Sequence, residues 1–180
     1  MSSVAPEIFK AYDIRGIVGR NLTAEVVELI GRAIGTEVRE AGGAAITVGR
    51  DGRLSGPELA RSLARGLQAA GVDVLDIGMA TTPMAYFAAH HLGCGSAVAV
   101  TGSHNPPEYN GLKIVIAGTT LSGEAIQGLR ARIERGELAS GAGGSRSADV
   151  REAYLARIAG DVKLARPLKV VVDCGNGVAR

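Results

Sequence analysis

Tryptophan is absent, and aromatic side chains make up only 3% of the 180 residues. A core without large rings has to be built from Ala, Val, Ile and Leu, which suits helices packed on a mostly buried sheet. The two cysteines, Cys94 and Cys174, lie far apart and match no metal or redox spacing, so neither a disulfide framework nor a cysteine-bound metal is expected. No apolar run reaches the roughly 18 residues of a membrane span, and Met1 to Pro6 lacks a basic segment followed by an apolar core. A cytoplasmic protein is expected. Charge of one sign is also missing: 20 basic residues stand against 18 acidic ones with no block of like charge, which argues against nucleic acid or a membrane as partner. Neither G-x-x-x-x-G-K-[ST] nor G-x-S-x-G occurs, which disfavours a nucleotide-hydrolysing P-loop and a hydrolase elbow.

Glycine is plentiful, at 26 residues about twice the usual share, and it clusters between periodic segments where tight turns and close backbone approach are needed. Those segments alternate between strand and helix. Thr23 can cap a helix running to about Glu40, with Val26, Ile30, Ala33, Ile34 and Val38 on one face. Ala44 to Val48 then reads as a buried strand delivering Arg50-Asp51-Gly52-Arg53 at its C-terminal end, where ligand groups gather in open α/β sheets. Arg50 is expected to pair with Asp51 and fix this loop, the alternative being that Arg50 and Arg53 hold phosphate. Ser55 and Glu58 have capping-box spacing ahead of a helix that Gly71 stops, Val72 to Ile77 is a strand, and Thr82-Pro83 opens a further helix. His90 and His91, near its C-terminus, have no ligand partners at metal spacing and read as structural.

Gly95 to Val100 is the strand that feeds Thr101-Gly102-Ser103-His104-Asn105-Pro106-Pro107, a loop able to hold a serine hydroxyl at a turn crest ahead of two stiffening prolines. Asn110-Gly111 reads as a turn returning the chain along Leu112 to Ile116, which places Lys113 near the crest. Ser122 is expected to cap another helix, and Glu137 to Ser147, rich in Gly, Ala and Ser, reads as a flexible domain boundary. A helix from about Val150 to Ile158 and an apolar strand from Leu168 to Val172 follow. The strand ends in Asp173-Cys174-Gly175-Asn176-Gly177, which lacks the third glycine and distal acid of a dinucleotide site. The expected fold is therefore a three-layer α/β domain with a small mixed, mostly parallel sheet between helices, plus the first strand of a second similar domain.

Four stretches carry a resemblance when taken together and in order: Phe9-Lys10-Ala11-Tyr12-Asp13-Ile14-Arg15-Gly16, Val48-Gly49-Arg50-Asp51-Gly52-Arg53-Leu54-Ser55, the Ser103 loop, and Val170 to Gly177. The chain resembles the N-terminal part of the α-D-phosphohexomutases, in particular their bacterial phosphomannomutase/phosphoglucomutase branch. The resemblance implies that residues 1–147 are domain 1 with its phosphoserine loop, and that residues 148–180 are a connecting helix and the beginning of domain 2. It makes Ser103 the residue that carries a phosphoryl group, and it brings Arg15 to the reaction centre with Tyr12 near bound substrate.

The implied reaction interconverts hexose 1-phosphate and hexose 6-phosphate through a 1,6-bisphosphate intermediate. Lys113 is the candidate acid/base, because a lysine beside a cation such as Arg15 has a lowered proton affinity, and His104 is the second candidate. An oxygen of phosphorylated Ser103 would be one Mg²⁺ ligand, with the remaining ligands and the sugar-selecting loops in further domains of the complete enzyme. Those domains and the phosphosugar are the implied partners. A competing expectation makes the chain as it stands a phospho-ligand binding or scaffold domain without catalysis.

Overall fold

The computed structural model describes residues 4–175 and 177–178. A 3₁₀ turn at Pro6–Ile8 leads into β1 (Ile14–Ile17) and then α1 (Ala24–Glu40), β2 (Ala45–Arg50), α2 (Gly56–Ala69), β3 (Asp73–Met79) and α3 (Thr82–His91). After these come β4 (Ala97–Val100), β5 (Tyr109–Ile116), β6 (Thr119–Thr120), α4 (Glu124–Arg135), β7 (Ser145–Ser147) and α5 (Arg151–Asp161). The strands form one seven-stranded sheet in the order β1-β5-β4-β2-β3-β7, with β6 beside β5. Strand β2 runs parallel to β3 and β4, and β3 parallel to β7, while β5 runs antiparallel to β1, β4 and β6. The sheet is thus mixed, with its two kinds of pairing equal in number among the described residues.

The two faces of the sheet are packed differently. Helices α1, α2 and α4 bury Ile30, Ile34, Leu63, Leu67, Ile126 and Leu129 against Ile46, Val74, Val98 and Ile114 of the strands. On the other face Ala89 of α3 meets Ala97 and Val115, with Tyr86 and Cys94 partly buried beside them. Small side chains therefore bring α3 close to the sheet. Helices α1 and α2 touch at backbone distance, since a Cβ placed at Gly66 would lie 2.0 Å from the Glu28 carbonyl oxygen. Only glycine permits that crossing.

Thr23 caps α1, its side chain accepting from the Val26 amide at 3.3 Å. The other expected caps do not form. Ser55 has helical backbone angles and makes no side-chain cap, because its hydroxyl accepts instead from Asn110 Nδ2 at 2.9 Å. Helix α4 starts at Glu124, with Gly123 rather than Ser122 at its N-cap. Asn110-Gly111 is not a turn: both residues lie inside β5, paired with Gly16 and Arg15 of β1. A strand partner some 95 residues upstream in the register (Gly111 against Arg15) outweighs the local turn preference of the dipeptide.

Residues 137–147 are docked rather than flexible. The amides of Gly141 and Gly143 donate to the last carbonyls of α2, at Ala69 and Gln68, both at 2.9 Å, and Ser145–Ser147 then completes the sheet as β7. The segment satisfies backbone groups that a helix end and a sheet edge leave open. Helix α5 lies near α3, with Tyr154 edge-on to Phe87. The Leu168 to Val172 run pairs with no strand among the described residues, and Val171 is 94% exposed. Asn176 falls outside the described residues. No helix among the described residues is long and apolar enough to cross a membrane.

Candidate active site

The parallel strands β2, β3 and β4 end together, at Arg50, Met79 and Val100, and the segments that follow β2 and β4 build the site. The Asp51 amide donates to the Val100 carbonyl at 3.0 Å, so the two segments start side by side. Oxygen Oδ2 of Asp51 accepts from the Thr101 hydroxyl at 2.9 Å and from the Gly102 amide at 3.1 Å, while Oδ1 accepts from the Arg53 amide at 3.0 Å. The Thr101 hydroxyl in turn accepts from the Ser103 amide at 2.9 Å. This relay turns Ser103 into the left-handed region, at φ 52°. That conformation costs a serine about 1 kcal/mol, which the surrounding hydrogen bonds offset. The side chain is left exposed at the crest.

Arg50 does not form the expected pair with Asp51. Its Nη1 donates to the Asp51 backbone carbonyl at 3.3 Å, and the Asp51 carboxylate is taken by Arg53 Nε at 3.4 Å, because the turn after β2 brings Arg53 back over it. Arg53 then reaches into the Ser103 loop. Its Nη1 donates to the carbonyls of Pro106 at 2.6 Å and Tyr109 at 3.0 Å, and its Nη2 to those of Ser103 at 3.1 Å and Asn105 at 2.5 Å. A Cβ at Gly102 would sit 2.1 Å from Arg53 Nε, so this glycine is the opening through which the guanidinium passes.

Arg15 and Lys113 approach from β1 and β5. Arg15 Nη1 donates to the Gly102 carbonyl at 2.5 Å, directly behind Ser103. Its Nη2 donates to Asp13 Oδ2, and Lys113 Nζ lies 3.4 Å from that same oxygen. The sequence places Lys113 beside a bare cation, whereas a carboxylate stands between the two. Lys113 also lies within β5, opposite Ala99 of β4, rather than at the start of a return strand. Tyr86 of α3 faces this cluster, and its phenol is pushed above its ordinary value by burial and, secondarily, by the charge of Asp13.

A cleft of about 750 Å³ opens in front of the loop, walled by Arg50, Thr81, Thr82, Ser103, His104 and the tail residue Val178. Ser103 and His104 share this wall, and neither the hydroxyl nor the imidazole has a hydrogen-bond partner among the described residues. Arg15 joins Ser103 through the Gly102 carbonyl, and Lys113 joins Arg15 through Asp13. Tyr12 is 76% exposed and stands outside the cleft wall. Asp13 and the loop-binding role of Arg53 are what sequence reasoning missed, and Asp51 fixes the loop as expected but through Thr101, Gly102 and Arg53 rather than Arg50.

Among the described residues no group of three His, Cys, Asp or Glu could hold a metal ion. The two carboxylates bonded into the Ser103 loop and its supports are already engaged, Asp51 by Thr101, Gly102 and Arg53 and Asp13 by Arg15 and Lys113. The donor set described here does not by itself make up a magnesium site.

The architecture is that of a three-layer α/β/α domain with its site at the carboxyl ends of the parallel strands. Residues 6–140 match the family model described as "Phosphoglucomutase/phosphomannomutase, alpha/beta/alpha domain I". A phosphomannomutase/phosphoglucomutase of Pseudomonas aeruginosa is 56% identical over 172 residues, covering 96% of this chain and 37% of that relative. A phosphoglucomutase of Neisseria gonorrhoeae is 53% identical over 180 residues, covering 99% of this chain and 39% of that relative. Among solved structures, a phosphoglucomutase/phosphomannomutase family protein from Burkholderia thailandensis superposes with a TM-score of 0.87 at 52% identity, covering 92% of this chain and 38% of that one. The chain belongs to the phosphoglucomutase/phosphomannomutase family. It spans well under half the length of these relatives.

Proposed function

We propose that this chain is the phosphoserine-bearing part of a phosphohexomutase that interconverts hexose 1-phosphate and hexose 6-phosphate. The observation that carries the reading is Ser103 itself: a serine held in the left-handed conformation at the mouth of a cleft, with Arg15 bound to the carbonyl just before it, in a member of this family. Phosphoryl transfer is mostly positioning and charge stabilisation, and a fixed hydroxyl backed by a guanidinium supplies both.

In the proposed reaction the P–O bond to Ser103 Oγ breaks as a bond forms from phosphorus to O6 of hexose 1-phosphate. The O6 proton passes to the lone pair of Lys113 in its neutral form, once the ammonium paired with Asp13 has given up its own proton to solvent, with His104 as the alternative acceptor. The resulting 1,6-bisphosphate reorients, its C1 phosphoryl returns to Ser103, the proton returns to the O1 that is released, and hexose 6-phosphate leaves. Arg15 steadies the loop and the transferring charge, and Tyr12 is proposed to meet the sugar. Phosphorylated Ser103 would offer one hard oxygen to Mg²⁺, and we assign the other ligands to the remaining domains of the complete protein. Those domains are its proposed partners, and residues 1–147 and 148–180 its proposed division into domain 1 and the beginning of domain 2. A cytoplasmic enzyme of small phosphosugars suits the near-even balance of 20 basic and 18 acidic residues.

The isolated 180 residues are proposed to fold without turning over substrate, since described carboxylates beside Ser103 are occupied by other partners. Two measurements test these statements together. Intact mass spectrometry of the purified chain reports a phosphate that Ser103→Ala abolishes, and a coupled assay compares the chain alone with the chain joined to its missing domains. Turnover in the joined form that survives Ser103→Ala would overturn the reading.

A further inference from the structure

The Ser103 loop has an unusual requirement for donors. The carbonyls of Ser103, Asn105, Pro106 and Tyr109 all turn inward; the Tyr109 amide answers that of Pro106 at 3.0 Å, and Pro106 and Pro107 have no amide hydrogen to offer the others. Arg53 meets the whole set. A guanidinium has five N–H donors in a planar fork. Four of them are used on the loop carbonyls, and Nε, the fifth, faces Asp51 Oδ2 at 3.4 Å. None is left to bind a phosphate in the cleft. Arg50, by contrast, spends a single bond among the described residues, on a neighbouring carbonyl.

We propose that Arg53 is a positioning residue for Ser103: it moulds the loop from inside and aims the hydroxyl, and it is not a phosphate ligand. The proposal rests on the reading of Ser103 as the phosphoryl carrier. Holding the Ser103 carbonyl inward fixes the peptide plane after a residue at φ 52°, so the side chain is turned out into the cleft. Lysine cannot replace it, because an ammonium offers three donors from one point and cannot span four converging carbonyls. Gly102 belongs to the same device, since any side chain there would occupy the space of the guanidinium.

The test is steady-state kinetics on the complete enzyme, with hydrogen exchange on the 180-residue chain. Arg53→Lys should lower kcat by about a hundredfold, the loss that a misplaced reacting group incurs, and leave KM for hexose 1-phosphate within about twofold. Gly102→Ala should do the same by displacing the guanidinium, yet add little in an Arg53→Ala background, where the space is free. In the chain, Arg53→Ala should lose exchange protection at the Asn105 and Tyr109 amides, which close turns onto Gly102 and Pro106, while the β4 amides keep theirs, which shows that the variant is folded. A raised KM at unchanged kcat would make Arg53 a phosphate ligand and overturn the proposal, as would multiplicative losses for Gly102→Ala and Arg53→Ala. Full activity in Ser103→Ala would instead remove the phosphoryl-carrier reading, and the proposal with it.

Discussion

Lys113 Nζ and Asp13 Oδ2 lie 3.4 Å apart across the β1–β5 edge of the sheet, and the same oxygen receives Arg15. One carboxylate thus orders two cations that approach the serine loop from neighbouring strands. The Asp13 and Arg15 side chains are each 12% exposed, so that pair is largely shielded from solvent and salt, while Lys113 is 28% exposed.

Asp13→Asn should therefore release both cations. Removing one partner from a largely buried ionic group leaves the others unpaired, and a loss of about 1–3 kcal/mol in unfolding free energy is expected. Urea denaturation of the chain measures it. In the complete enzyme kcat should fall as well, because Arg15 would lose one of the two contacts that hold it at the Gly102 carbonyl. An unchanged urea midpoint would mean that the cations are held by something other than Asp13.

Lys113→Ala in the complete enzyme should lower kcat by roughly 10²–10⁴, the usual range for losing a general acid or base. Substrate binding should suffer less. A wild-type kcat in this variant would remove Lys113 from the chemistry and leave His104, which shares the cleft wall with Ser103, as the remaining proton acceptor.

Two glycine-to-alanine changes on helices should move stability in opposite directions. Gly66→Ala puts a methyl 2.0 Å from the Glu28 carbonyl and forces α1 and α2 apart, costing about 1–3 kcal/mol. Gly128→Ala on α4 meets nothing within 4 Å and should gain about 0.5–1 kcal/mol from reduced chain entropy in the unfolded state. Thermal melts of the two variants beside the parent provide the comparison.

Limited proteolysis should spare residues 139–147 and cut after α5. The former are tied down by Thr36, Arg32, Arg39 and the end of α2, whereas Leu164, Leu168 and Val170 are more than half exposed beyond the last helix. Early fragments ending between Gly141 and Ser145, identified by mass, would contradict the docking of this segment.

Tyr86 gives an alkaline signature. Burial, helped by the charge of Asp13, raises its phenol above its ordinary value of 10.0. The neutral phenol is thus favoured in the folded chain, so its contribution is fully present below pH 10.0 and is lost as pH rises through the higher folded value. Tyr86→Phe should abolish that loss, flattening the stability curve above pH 10.0 relative to the parent. Coincident curves for the two proteins would show that Tyr86 is not the group responsible.

Local sequence was enough for the alternation of strands and helices, for the Thr23 cap and for the serine loop following an apolar strand. Each of these depends on neighbours within a turn or two, where spacing and side-chain type decide the outcome. The motifs also named Ser103, Arg15 and Lys113, which the fold connects through the Gly102 carbonyl and Asp13. What only the tertiary structure decided involves partners far along the chain. Arg53 binds carbonyls 50 to 56 positions away, and Lys113 meets a carboxylate 100 positions away. Ser55 gave up its expected cap for Asn110, 55 positions on, and the glycine-rich stretch near residue 141 became ordered because it met the open carbonyls at the end of α2. At Ser55 a capping preference worth about 1 kcal/mol was outweighed by the cost of leaving the buried Asn110 amide unsatisfied. That cost is set by which groups the finished fold brings together, and no pattern of adjacent residues contains it.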